Sequence, residues 1–80
     1  MEKSIIIEKL TEIFRDTFSD EDIVLNNGMT PEDLENWDSL THKLMIAEIE
    51  SEFGIKFKLK ELNNLQSVGS IIETISIHLQ

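Results

Sequence analysis

The sequence predicts an all-α chain: a four-helix bundle of three long helices and one short one, with a long loop after the first helix. Three observations predict it. Apolar residues recur at helical spacing in three separate stretches. The only stretch that alternates with period two is six residues long and has no pairing partner. Eighty residues, 40% of them apolar, suffice for one compact core, and a single proline, three glycines and no low-complexity run leave no room for a linker, so residues 1–80 read as one domain. Ile6, Leu10, Ile13 and Phe14, with Ile5, Ile7 and Phe18 nearby, predict a first helix over about residues 3–18. Ser19-Asp20-Glu21-Asp22 breaks it, and Asn26-Asn27-Gly28 is a turn cluster. Thr30-Pro31-Glu32-Asp33 has a cap residue, a proline at the first helical position and an acid at the third, which suits one short helical turn. Asp38 or Ser39 opens a second long helix that runs to Phe53, with Gly54 at its C-terminal cap. Ile55 to Lys60 reads as extended loop leading into a short helix near Leu59–Asn63. Ser67 caps a last helix through Val68, Ile71, Ile72, Ile75 and Leu79.

The second helix has two apolar faces. At 100° per residue, Met45, Ile46, Ile49 and Phe53 fall in one wide arc with His42 among them, and that arc faces the core. Leu40, Leu44 and Ala47 form a second stripe, extended by Ser51 and bordered by Thr41, Glu48 and Glu52 on one side and by Lys43 and Glu50 on the other. An ordered second stripe either packs under the long first loop or meets a partner.

Charge excludes several classes of function. The net charge is −9, with eleven acids and three bases in residues 1–38 against five and four in residues 39–80. Nucleic acid and anionic membrane surfaces both need clustered Lys and Arg. The acids of the first half form a solvated coat whose mutual repulsion protonation would relieve. No cysteine means no disulfide, no Cys-based zinc site and no thiol of the chain's own. The opening MEKSIIIEKL has an apolar run of three, too short for a signal-peptide core or a spanning helix, so a soluble cytoplasmic chain without membrane insertion is expected.

Ser39, Asp38 and His42 lie within one helical turn but do not read as a triad. Neighbours on one helix converge poorly, and a hydrolase also needs an oxyanion hole and a cleft. No catalysis is expected. Counting from Asp20 puts Leu25 at the required glycine of a calcium loop and Pro31 at its bidentate glutamate, so that pattern fails and no metal site is expected. His42 sits near a helix N-terminus, which disfavours its charged form. His78 reads as a surface residue, and Lys56, Lys58 and Lys60 as charges presented to water. Trp37 is either a lid packed on the loop or an exposed contact.

Asn36-Trp37-Asp38-Ser39-Leu40 is the informative stretch. A serine at a helix N-terminus, fed by a polar loop, is exposed and fixed in place, and the free amides of that end stabilise a phosphate on its hydroxyl. The tripeptide alone also fits a plain capping serine. Its surroundings carry more: Glu32-Asp33-Leu34 upstream, the helix ending Ile49-Glu50-Ser51-Glu52-Phe53-Gly54, and Leu65-Gln66-Ser67-Val68 opening the last helix. With these the chain resembles the acyl carrier protein family from about Ile6 to Leu79.

The resemblance implies an acyl-carrier-type bundle in which Ser39, flanked by Asp38 and Leu40, bears 4′-phosphopantetheine transferred from coenzyme A by a phosphopantetheinyl transferase. An acyl or aminoacyl group would ride on it as a thioester, supplied by a loading enzyme and consumed by a downstream synthase or transferase, with the carrier itself a monomer. Leu40, Leu44, Ala47 and Glu48 would meet these partners. Ile46, Ile49, Phe53, Phe57, Leu62, Leu65 and Ile71 would form the core, and His42, Ile46, Ile49, Phe57, Leu62 and Leu65 are candidates to line an acyl pocket. Fatty-acid carriers tend to place acids early in the second helix, where this chain has Thr41, His42, Lys43 and Leu44. Fatty acid, polyketide, nonribosomal peptide and sugar-modifying pathways all remain open. The rival from another class is a small acidic helical interaction module, with Ser39 only a cap and no prosthetic group.

Overall fold

A computed structural model describes residues 2–80. Four helices form: α1 (Lys3–Phe18), α2 (Ser39–Phe53), α3 (Leu59–Leu62) and α4 (Val68–His78). No strand occurs among the described residues. In the stretch from Ile55 to Lys60 the alternation ends at Leu59, which stands 79% exposed. No helix of the described residues is long and apolar enough to cross a membrane.

α1 packs against both α2 and α4. It buries Ile6, Leu10, Ile13, Phe14 and Phe18, one face of a helical repeat. Ser19 ends it in the left-handed region (φ 52°), where its N–H reaches back to the Asp16 carbonyl and the Asp20 N–H to that of Arg15. α2 buries Met45, Ile46, Ile49 and Phe53, the arc expected from periodicity, and stops at Gly54 (φ 64°). Ser67 caps α4 by accepting the Ser70 N–H at 3.1 Å.

Residues 19–38 are ordered by short turns. The Asp20 carboxylate accepts the Asp22 N–H, and the Asn26 side-chain oxygen accepts that of Gly28. The segment expected to be a helical turn at Thr30–Asp33 is a turn instead. Asp33 N–H bonds the Thr30 carbonyl and Trp37 N–H that of Leu34, both three residues back, so no α-helical i−4 bond forms there. This loop gives the core Ile23, Met29 and Trp37, which join the apolar residues of the long helices and Phe57 and Leu65 in one cluster. Leu62, expected in the core, is only half-buried against its edge.

Two carbonyls of the loop also close the start of α4: Met29 O accepts Val68 N–H at 2.9 Å and Asn27 O accepts Gly69 N–H at 3.0 Å. Gly69 is required by that approach, since a Cβ there would lie 2.8 Å from Asn27 O.

α3 is fixed from both sides. The Glu61 carboxylate accepts the Lys58 N–H at 2.8 Å and meets His78 Nε2 at 2.8 and 3.0 Å. These bonds hold the Glu61 carboxyl below its ordinary pKa, the Lys58 amide contributing most. His78, expected at the surface, is half-buried, with Phe57 edge-on to its ring at 5.7 Å. The reason is the partner: the Glu61 carboxylate pairs with His78 Nε2, so that side of the imidazole can leave water beside Phe57.

Candidate functional site at the start of α2

Asp38 is the cap of α2. Its Oδ1 accepts the N–H groups of Leu40 and Thr41, each at 3.0 Å, and the Thr41 hydroxyl accepts the Asp38 N–H at 2.8 Å. The Thr41 hydroxyl in turn donates to the Asn36 carbonyl at 2.6 Å, tying the incoming loop to the first turn. The amides that Asp38 gathers favour its charged form and hold its carboxyl below the ordinary aspartate range, the Thr41 amide first among them.

Ser39 is therefore the first helical residue and not the cap. It is exposed, and its hydroxyl has no hydrogen-bond partner among the described residues. An exposed, unengaged hydroxyl on a rigid first turn is positioned for a second macromolecule to reach.

Trp37, immediately before the cap, is not exposed: it keeps only 4% of its surface. Its indole lies edge-on to Phe14 at 5.3 Å, and its Nε1–H donates to His42 Nδ1 at 2.9 Å. The two rings are nearly parallel, 16° apart, with centroids 6.0 Å apart. Trp37 thus anchors the loop into the bundle while turning its polar atom toward α2. Burial lowers the His42 pKa from its ordinary value.

An open groove of about 470 Å³ has Ser39 in its lining. Pro31, Trp37, Asp38, Ser39, His42 and Lys43 line one part of it, and Leu62, Asn63, Leu65 and Gln66 the other. Of the residues considered for an acyl pocket, His42, Leu62 and Leu65 line this groove. Ile46, Ile49 and Phe57 are buried in the packed core and do not. Pro31, Asn63 and Gln66 join the groove without any signal in the sequence, because the residues of the first loop and of the segment after α3 are brought to α2 only by tertiary packing, and Lys43 of α2 lines it beside them.

Leu40 and Leu44 are 68% and 52% exposed, and Ala47 and Glu48 are exposed beside them. The long loop therefore does not cover this stripe, which runs from next to Ser39 along the solvent side of α2.

Neither a protein-family model nor a curated relative matches the chain. Among solved structures, the solution NMR structure of a holo acyl carrier protein from Geobacter metallireducens matches with a TM-score of 0.86 and 38% sequence identity, over 91% of this chain and 84% of that one. Fold and more than a third of the residues agree along nearly the whole length. The chain belongs to the acyl carrier protein family.

Proposed function

We propose that this protein holds an acyl or aminoacyl intermediate as a thioester on 4′-phosphopantetheine attached to Ser39, and presents it to partner enzymes as one carrier domain. The observation that carries the reading is the division of labour at the start of α2: Asp38 does the capping, which leaves the Ser39 hydroxyl exposed and without a structural task. The residues present fit the group. Attachment needs an accessible hydroxyl on a fixed backbone, and the groove that Ser39 helps to line gives an arm a surface to follow. The phosphodiester's negative charge would meet the positive end of α2 and Lys43, against the opposing charge of Asp38. When bound, the group supplies the thiol that this cysteine-free chain lacks. The protein's own contribution is to hold Ser39 in reach, to keep the arm's base rigid and to offer Leu40, Leu44, Ala47 and Glu48 as the surface a transferase and later enzymes recognise.

Intact-mass measurement after incubation with coenzyme A and a broad-range phosphopantetheinyl transferase tests this. The wild type should gain one phosphopantetheine and Ser39→Ala none. An unchanged wild-type mass with several transferases would favour an interaction module without a prosthetic group. A mass gain on a folded Ser39→Ala would place the attachment elsewhere.

A further inference from the structure

Resting on the carrier reading, we propose that His42 is a positioning residue for the arm: its Nε2–H donates to a hydroxyl or carbonyl oxygen of the phosphopantetheine on Ser39 and lays the arm along the groove. The tautomer follows from the contact with Trp37. A ring nitrogen that accepts a hydrogen bond has no proton, and His42 Nδ1 accepts the indole N–H at 2.9 Å. The neutral ring therefore has its hydrogen on Nε2. That atom has no partner among the described residues, yet it is not a buried unsatisfied group, so it stands open.

His42 lies three residues beyond Ser39, about one helical turn, and both line the same groove. The groove's remaining lining is apolar at Pro31, Trp37, Leu62 and Leu65 and polar at Asp38, Lys43, Asn63 and Gln66. Apolar patches interspersed with donors, among which His42 is the one that a buried neighbour orients, match the chemistry of the arm, which alternates a dimethyl-bearing carbon and methylenes with a hydroxyl and two amide carbonyls. Attachment at Ser39 keeps the arm at high effective concentration beside the donor, so one directed hydrogen bond can bias where it lies. Trp37 is the lever: buried in the core, it sets the tautomer of His42 through its indole N–H and stacks nearly parallel to the ring.

Two variants separate the ring's two nitrogens. His42→Asn keeps an acceptor near the Nδ1 position for Trp37 but loses the donor at Nε2. His42→Gln places an amide donor near Nε2 and loses the acceptor for Trp37. Each chain is converted with coenzyme A and a broad-range transferase, and its phosphopantetheine mass gain is confirmed. Nuclear Overhauser enhancements from the arm's methyls to the Leu62 methyls and the Trp37 ring are then measured. Wild type should show these enhancements, His42→Asn should lack them with its circular dichroism unchanged, and His42→Gln should retain them. In wild type the His42 Nε2 nitrogen shift should also move between the apo and holo forms at pH 7.5, with the tautomer unchanged. No enhancements in holo wild type, enhancements that persist in His42→Asn, or their absence from both variants alike would overturn the role of Nε2. Absence of the mass gain in wild type would overturn the carrier reading and this one with it.

Discussion

Asp38 takes the amides of Leu40 and Thr41, so Ser39, next in the chain, has nothing left to hold. Opposite outcomes follow for the two substitutions. Ser39→Ala should change stability by less than about 0.5 kcal/mol, since an exposed residue without partners is replaced by a good helix former. Asp38→Ala should lower the thermal midpoint by several degrees, because two amides lose their acceptor while only the main-chain half of the capping box, Asp38 N–H to the Thr41 hydroxyl, survives. Equal midpoints for the two variants in a thermal melt followed by circular dichroism would contradict this assignment of the cap. His42 gives a second test at this scale. Burial holds its pKa below the ordinary value, so around and below pH 6.5 the unfolded chain binds more protons than the folded one. Its contribution to stability is therefore present above that pH and is lost as pH falls through the folded value. Protonation would also fill Nδ1 and break the bond from Trp37. Between pH 7.5 and 5.5 the wild-type midpoint should fall more than that of His42→Asn, in which every other titrating group is shared. Equal falls would show that His42 titrates alike in both states.

At the level of elements, the exposed stripe on α2 predicts how partners recognise the chain. Leu40 and Leu44 stand open beside Ser39 where an acidic pair would make docking electrostatic. Leu44→Glu should slow phosphopantetheine transfer on the order of tenfold, about the effect of losing one well-packed apolar contact. Raising salt should change the wild-type rate only modestly. A silent Leu44→Glu with a steep salt dependence would show that charge guides docking instead. The stripe itself was legible from sequence because α2's two faces follow a fixed 100° step, and so were helix ends marked by local chemistry, such as Gly54 and Ser67. Trp37 was not: no period governs a loop, and only the edge of Phe14 and the acceptor on His42 decide that the indole turns inward. His78 escaped for the same reason, since its partner Glu61 lies seventeen residues away on another helix. Nor did anything local mark Gly69 as the place where the loop's carbonyls would close on α4. Ser39, the proposed attachment site, stands out in the sequence because it lies in a contiguous motif, whereas the groove it lines is assembled from three separate segments.

Over the whole molecule, charge opposes the fold. Sixteen acids and seven Lys and Arg share a structure whose radius of gyration is 11.5 Å. The Debye length is ~30 Å at 0.01 M salt, so at low salt nearly every acid in the molecule feels the others; at 0.15 M it is ~8 Å and most pairs across the molecule are screened. Attractive pairs offset little of this. Lys3–Glu73 at 3.3 Å and Lys9–Glu52 at 3.7 Å are largely or half exposed, the kind of ion pair that contributes ~0–1 kcal/mol. Acidification is a poorer probe of this repulsion. Protonating the coat would relieve it, but His42, Asp38 and Glu61 are all held below their ordinary values and lose stabilisation as pH falls. Salt at constant pH isolates the repulsion. Raising sodium chloride from about 10 to about 150 mM at pH 7.5 should raise the thermal midpoint by a few degrees, and the gain should shrink in a variant with Glu21 and Asp22 replaced by Gln and Asn, both exposed and outside the side-chain bonds that hold the loop. The main-chain bond from Asp22 N–H to the Asp20 carboxylate survives that change. A midpoint that falls with salt would mean that the ion pairs and charged caps outweigh the crowding of the acidic half, and that α1 and its loop are held together by the charges that here are taken to strain them.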